Sequence, residues 1–180
     1  MPKGTTILRV AAHSSLGRSV HSGRTITTVS AEKFFAEQRA AIVDGAEEAL
    51  ARSHARHYEA AGETEVRRRL ELLFDRLLAG LRERDLGPMI SYAETLAEER
   101  FEAGYDLVEV QTAFNALEEA SWQRVLADLD AAEFADALGL VSTLLGAGKD
   151  ALARRYVSLA ANTHAPSLDL RALFAGTDGA

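Results

Sequence analysis

The chain has 180 residues, 47% hydrophobic and 26% charged, with a formal net charge of −7 and no cysteine. That composition suits one soluble globular domain whose core is large enough to fold without a metal or a cross-link. The missing thiols exclude disulfides, thiolate catalysis and cysteine-ligated zinc. The charge divides unevenly: residues 1–30 carry Lys3, Arg9, Arg18 and Arg24 and no acid, leaving −11 on the remainder. An acidic body argues against a nucleic-acid surface, which needs a clustered positive field. No apolar run approaches the ~20 residues that span a bilayer, and no signal-peptide apolar region opens the chain. The expectation is a cytoplasmic protein with no nucleic-acid and no membrane partner.

Residues 1–30 are rich in Ser, Thr, Gly and Arg, with short β-prone pieces at Thr5–Val10 and Thr25–Val29. They lack a two-residue hairpin turn and read as a basic arm without regular structure, one docked strand being the alternative. Ser30 is a plausible N-cap for a first helix running to Ala61 and ended by Gly62. Phe35, Ile42, Ala46, Ala49 and Ser53 share one stripe of it, a small-residue contact face. A second helix covers Glu63 to Leu86, and Leu70, Leu73, Phe74, Leu77, Leu78 and Leu81 give it the broadest apolar face. Gly87-Pro88 ends that helix and starts the third, which continues to Ala103 with Met89, Ala93, Leu96 and Ala97 facing inward.

Between Leu96 and Trp122 lies the turn that organises the chain. Gly104 is placed where a helix leaves through a left-handed residue. Asp106 then suits an N-cap, with Glu109 three residues on as the partner of a capping box. The fourth helix, Leu107 to Leu129, carries Leu107, Val110, Phe114, Leu117, Ser121 and Val125 at alternating three- and four-residue steps. Asp130 and Glu133 form a second capping box for a fifth helix reaching Asn162, interrupted in character by Gly146-Ala147-Gly148, which suggests close helix approach or a bend. The fold class expected is all-α, an antiparallel bundle of about five helices spanning residues 31–163. Residues 164–180 form a tail after Pro166, in which Leu168, Leu170, Leu173 and Phe174 are expected to dock into a groove, with the bundle itself favoured over a partner.

Few residues carry chemistry. His54 and His57, three apart, share a helix face in this reading, but two histidines without a third ligand make a weak metal site. Arg100 falls near the inward stripe of the third helix, where a guanidinium needs a carboxylate; Glu109, Glu118 and Glu119 are the nearest by topology. It could hold an acidic ligand, although service to the last carbonyls of its own helix is the simpler account. Gln111, Asn115, Glu118 and Trp122 line one side of the fourth helix and suggest a crevice or an interface, with the chain's one Trp tipping the balance to an interface. No nucleophile has a supporting base, so no catalytic residue and no enzyme activity are expected.

From Leu96 to Trp122 the sequence resembles the RsbRD N-terminal domain family, the helical sensory module of RsbT co-antagonist proteins. The resemblance is carried by Arg100, Gly104, Leu107 and Glu109, followed by an apolar helix through Phe114, Leu117 and Trp122. It extends over roughly Phe34 to Ala160. It implies a bacterial stress-regulatory role in sensing or scaffolding, commonly as a dimer, and in some members a haem-free globin-like fold. Family members usually continue into an output domain, whereas the residues after the last helix here read as a short tail. The expectation is therefore a stand-alone, cofactor-free regulatory module that forms a homodimer and acts through a signalling protein partner. The alternative is a binding protein for a small apolar ligand or haem in a globin-like pocket, with His54 or His57 as axial ligand.

Overall fold

A computed structural model describes residues 31–129 and 131–164. The described residues form seven helices and no strand: α1 (Ala31–Glu37), α2 (Arg39–Arg52), α3 (Arg56–Ala61), α4 (Glu63–Glu83), α5 (Gly87–Glu102), α6 (Leu107–Asp128) and α7 (Ala131–His164). The fold is all-α. The basic arm, the Asp130 cap and the tail with Leu168, Leu170, Leu173 and Phe174 lie outside the described residues.

The five long helices alternate in direction along the chain. Arg67 on α4 meets Asp44 and Glu47 of α2, while Arg39 at the start of α2 meets Asp75 further along α4, so these two run oppositely. Phe114 and Glu118 of α6 meet Gly148 and Ser142 of α7, again in reverse order. α5 and α7 are spatial neighbours that run the same way: Met89 lies against Gly148, Glu98 against Arg155 and Phe101 against Tyr156. α4 sits among the others with Leu70, Leu73, Phe74 and Leu77 all buried. The broad apolar stripe read from its sequence is what selects it for the centre.

The first predicted helix is not continuous. A single turn residue, Gln38, separates α1 from α2, and its backbone still bonds on both sides, to Phe34 and to Ile42. The real break comes at His54, whose φ of 52° places a non-glycine residue in the left-handed region. Ser53 closes α2 by hydrogen-bonding the Leu50 carbonyl through both its amide and its hydroxyl. The apolar face of α1 and α2 turns into the chain over Phe35, Ile42 and Ala46, which are buried, and a Cβ on Gly45 would stand 3.3 Å from that of Ala120 on α6; Ser53 at the end of α2 is exposed.

The turns differ from expectation in an instructive way. α5 ends as the sequence implies, in a Schellman motif: the Tyr105 amide bonds Arg100 O at 2.9 Å and the Gly104 amide bonds Phe101 O at 3.1 Å, with Gly104 at φ 78°. α4, by contrast, closes three residues before Gly87, through Arg84 at φ 52°. Gly87 opens α5 instead, its amide held by Asp85 Oδ1 at 3.0 Å. Gly62 holds φ 80° and ψ 157°, a region that only glycine occupies without strain. Asp106 stands at the N-cap of α6 without a side-chain hydrogen bond, so the expected capping box with Glu109 does not form.

Candidate functional site

All four tyrosines of the chain converge at one end of the bundle, around Arg100. Tyr58 comes from α3, Tyr92 from α5, Tyr105 from the turn fixed by Gly104, and Tyr156 from α7. The Arg100 guanidinium lies 5.2 Å from the centre of the Tyr105 ring, an arrangement in which the ring face attracts the cation. Its Nε is sealed from solvent with no hydrogen-bond partner. No carboxylate among the described residues pairs with it: Glu109 holds His57, Glu118 holds Ser142 and Lys149, and Glu119 holds Arg52. In place of the expected carboxylate, Arg100 faces the Tyr105 ring. Sequence reading placed Arg100 near the core but missed the rings, because they come from four separate segments.

Tyr105 is the hub of the cluster. The His57 ring stacks on it at 4.3 Å between centroids, and Tyr58 meets it edge-on at 6.0 Å. Arg69 Nη1 donates to the Tyr105 hydroxyl at 2.8 Å, and the Tyr156 hydroxyl donates to the Tyr105 carbonyl at 3.3 Å. Burial pushes the phenol of Tyr156 up to about 12 against the opposing pull of Arg100. Burial likewise raises Tyr58 and Tyr92, again with Arg100 pulling the other way. The three phenols therefore stay protonated at neutral pH and present dipoles, not charges, to the arginine.

Glu109 reaches across to α3 instead of serving its own helix. Its Oε1 accepts the His57 backbone amide at 2.5 Å and its Oε2 meets His57 Nδ1 at 2.6 Å. With the proton on Nδ1 the histidine side chain donates, and the carboxylate, 12% exposed, is satisfied at both oxygens. α3 has Ala55 at its N-cap and no side-chain cap of its own, so a residue 52 positions away supplies one. This contact also separates the two histidines. His57 faces Glu109, while His54 sits outside any helix and pairs with Glu59 at 3.2 Å, its side chain 84% exposed. The shared helix face expected for the pair does not exist.

Beside the cluster, and sharing Tyr58 with it, lies a cleft of about 790 Å³ between α2, α3 and the start of α4. Leu50, Ala51, Ala55, Tyr58 and Val66 provide its apolar lining, and Asp44, Glu47, Glu48, Glu59 and Glu63 its rim. Arg67 engages Asp44 at 2.8 Å and Glu47 at 2.6 Å, and His54 engages Glu59. Glu48 and Glu63 are exposed and have no partner among the described residues. No motif announces this cleft; a run of acids on a helix reads as an ordinary solvated face until α3 folds against it.

The polar stripe of α6 divides. Asn115 and Glu118 are drawn towards α7, where both accept from Lys149 Nζ, at 3.1 and 2.8 Å. Gln111 is half-buried. Trp122 stays 42% exposed and is joined on the same helix by Leu126 at 63% and Val108 at 75%. The four-residue step from Trp122 to Leu126, and the fourteen residues back to Val108, place all three on one side of α6.

The geometry defines an all-α domain with an arginine against the Tyr105 ring at one end and an apolar stripe left outside on α6. The family model of the RsbT co-antagonist protein rsbRD N-terminal domain matches residues 31–169. The chain belongs to the RsbRD N-terminal domain family, as the pattern around Arg100 and Gly104 implied, and that membership makes it a regulatory helical domain of stress signalling. Neither the curated proteins nor the solved structures provide a match. No helix among the described residues is long and apolar enough to cross a membrane.

Proposed function

We propose that this chain is a non-enzymatic, cofactor-free regulatory module that forms a homodimer in the cytoplasm and acts by binding a separate signalling protein. Membership of the family supports the regulatory part of the reading. The observation that carries the homodimer is the exposed stripe of Val108, Trp122 and Leu126 on α6. Large apolar side chains aligned on one helix face are costly to hydrate, and a two-fold arrangement buries the same stripe from both copies. The small-residue face of α2 is in good part turned into the chain, with Ala46 buried and Gly45 close to Ala120 of α6, so α6 offers the larger free apolar surface.

Light scattering tests the reading. The wild-type protein is expected at twice the 19.4 kDa chain mass at concentrations of about tens of micromolar, and Trp122→Glu at the monomer mass. A wild-type monomer under those conditions removes the dimer from the proposal. The signalling partner is tested by affinity capture with the wild-type protein and a Glu109→Ala variant in parallel, since removing this side chain takes the acceptor from the His57 amide and so alters the tyrosine end.

A further inference from the structure

The cleft beside Tyr58 has an apolar floor and an acidic rim, and two of its rim carboxylates, Glu48 and Glu63, have no partner among the described residues. Its volume of about 790 Å³ is that of a pocket for a few side chains. Its occupant must bring apolar side chains interleaved with cations. One segment of this chain has that chemistry. Residues 3–10 read Lys-Gly-Thr-Thr-Ile-Leu-Arg-Val, with Ile7, Leu8 and Val10 between Lys3 and Arg9, inside a stretch of thirty residues that holds four cations and no acid. We propose that this basic arm docks its Lys3–Val10 segment in the cleft of its own chain.

Reach permits it. The Arg82–Glu32 pair, 3.4 Å, fixes the start of α1 beside the end of α4. Val66, in the cleft, lies sixteen residues back along α4, or ~24 Å at the helical rise. The twenty-one residues from Val10 to Ala31 span up to ~70 Å when extended. Charge selects the arm over the other candidate from this chain. The tail bearing Leu168, Leu170, Leu173 and Phe174 is apolar enough for the floor, but it brings Asp169 and Asp178 against one Arg171, which suits an acidic rim poorly.

The absence of cysteine makes the test clean. A nitroxide is attached to the full chain at Thr6→Cys, and the relaxation of the amides of Leu50, Ala55 and Val66 is compared with that of Leu145, buried at 0% exposure away from the cleft. The proposal predicts selective broadening at the three cleft amides. Raising salt from about 0.05 to about 1 M, which shortens the screening length to ~3 Å, is expected to reduce that broadening at least about threefold. The double variant Glu48→Gln/Glu63→Gln, at exposed positions, is expected to reduce it to a similar degree at low salt. Broadening that is absent, or uniform over the surface, overturns the proposal. So does cleft broadening from a label at Ala175→Cys in place of the arm label, which assigns the cleft to the tail. Broadening seen only between labelled and unlabelled copies in a mixed sample assigns it to a second chain and also overturns the proposal.

Discussion

Arg100 is a guanidinium whose Nε is buried without a hydrogen bond and whose nearest company is aromatic. Breaking a buried ion pair by removing one partner typically costs about 3–5 kcal/mol, because a charge is left uncompensated. No such pair exists here among the described residues, so Arg100→Met is expected to change stability by no more than about 1.5 kcal/mol in either direction, by the usual outcome of volume-conserving replacement. Urea unfolding measures it, and a loss near the ion-pair figure would mean that an anion fills the site in solution. The two positive-φ glycines form the second case at this scale. Gly104 is left-handed, where a side chain costs about 1–2 kcal/mol. Gly62, at φ 80° and ψ 157°, is in the region that is essentially glycine's alone, at about 1–3 kcal/mol for another residue. A Cβ meets nothing within 4 Å at either position, so the backbone decides alone. Gly62→Val is therefore expected to lower the melting temperature at least as much as Gly104→Val. Sequence identified both glycines as turn residues; it could not give ψ, which is set by how the two flanking helices meet.

Among the elements, the helices that carry strong apolar stripes were legible, and the interruption that makes the site was not. α4, α5 and α6 begin within one residue of their sequence-derived starts, because Gly62, Gly87-Pro88 and Asp106 are local signals. The break at Ser53-His54 has no Gly or Pro to announce it. It exists because Glu109, far away in sequence, caps a new helix from His57. His54→Gly separates the two descriptions sharply. With His54 at φ 52°, glycine removes a left-handed penalty and is expected to stabilise by up to about 1 kcal/mol. In an unbroken helix the same change would destabilise by about that amount. Denaturant midpoints decide the sign. α7 offers a matching pair. A Cβ at Gly148 would stand 2.8 Å from Phe114 and 3.0 Å from Met89, while one at Gly146 meets nothing within 4 Å. Gly146→Ala is expected to raise stability by up to about 1 kcal/mol through helix propensity. Gly148→Ala is expected to lower it by about 1–3 kcal/mol through overpacking. Equal shifts for the two would show that α7 does not approach α5 and α6 as described.

For the whole molecule, periodicity gave an all-α bundle and the order of its main helices, since apolar stripes at 3.6-residue spacing need no tertiary information to read. Which helices become neighbours did require it: the close approach expected at Gly146-Ala147-Gly148 occurs at Gly148, but that it is made to Met89 of α5 and Phe114 of α6, and that Glu98 pairs with Arg155, nothing in the sequence states. The same holds for the candidate site, where only Arg100 and Trp122 were legible and the four tyrosines gained meaning by convergence. Trp122 is the chain's one tryptophan, so its emission reports the α6 face without interference. Val108 lies fourteen residues away on the same helix, ~21 Å along the axis, too far to touch that indole within one chain. The most direct test of the dimeric regulatory module is therefore the emission maximum of the wild-type protein and of Val108→Glu at matched concentrations of about tens of micromolar. The predicted result is a red-shifted maximum in Val108→Glu, matched by wild-type protein on dilution, because both expose an indole that the second copy had covered. Identical maxima in the two proteins at every concentration would contradict association through α6.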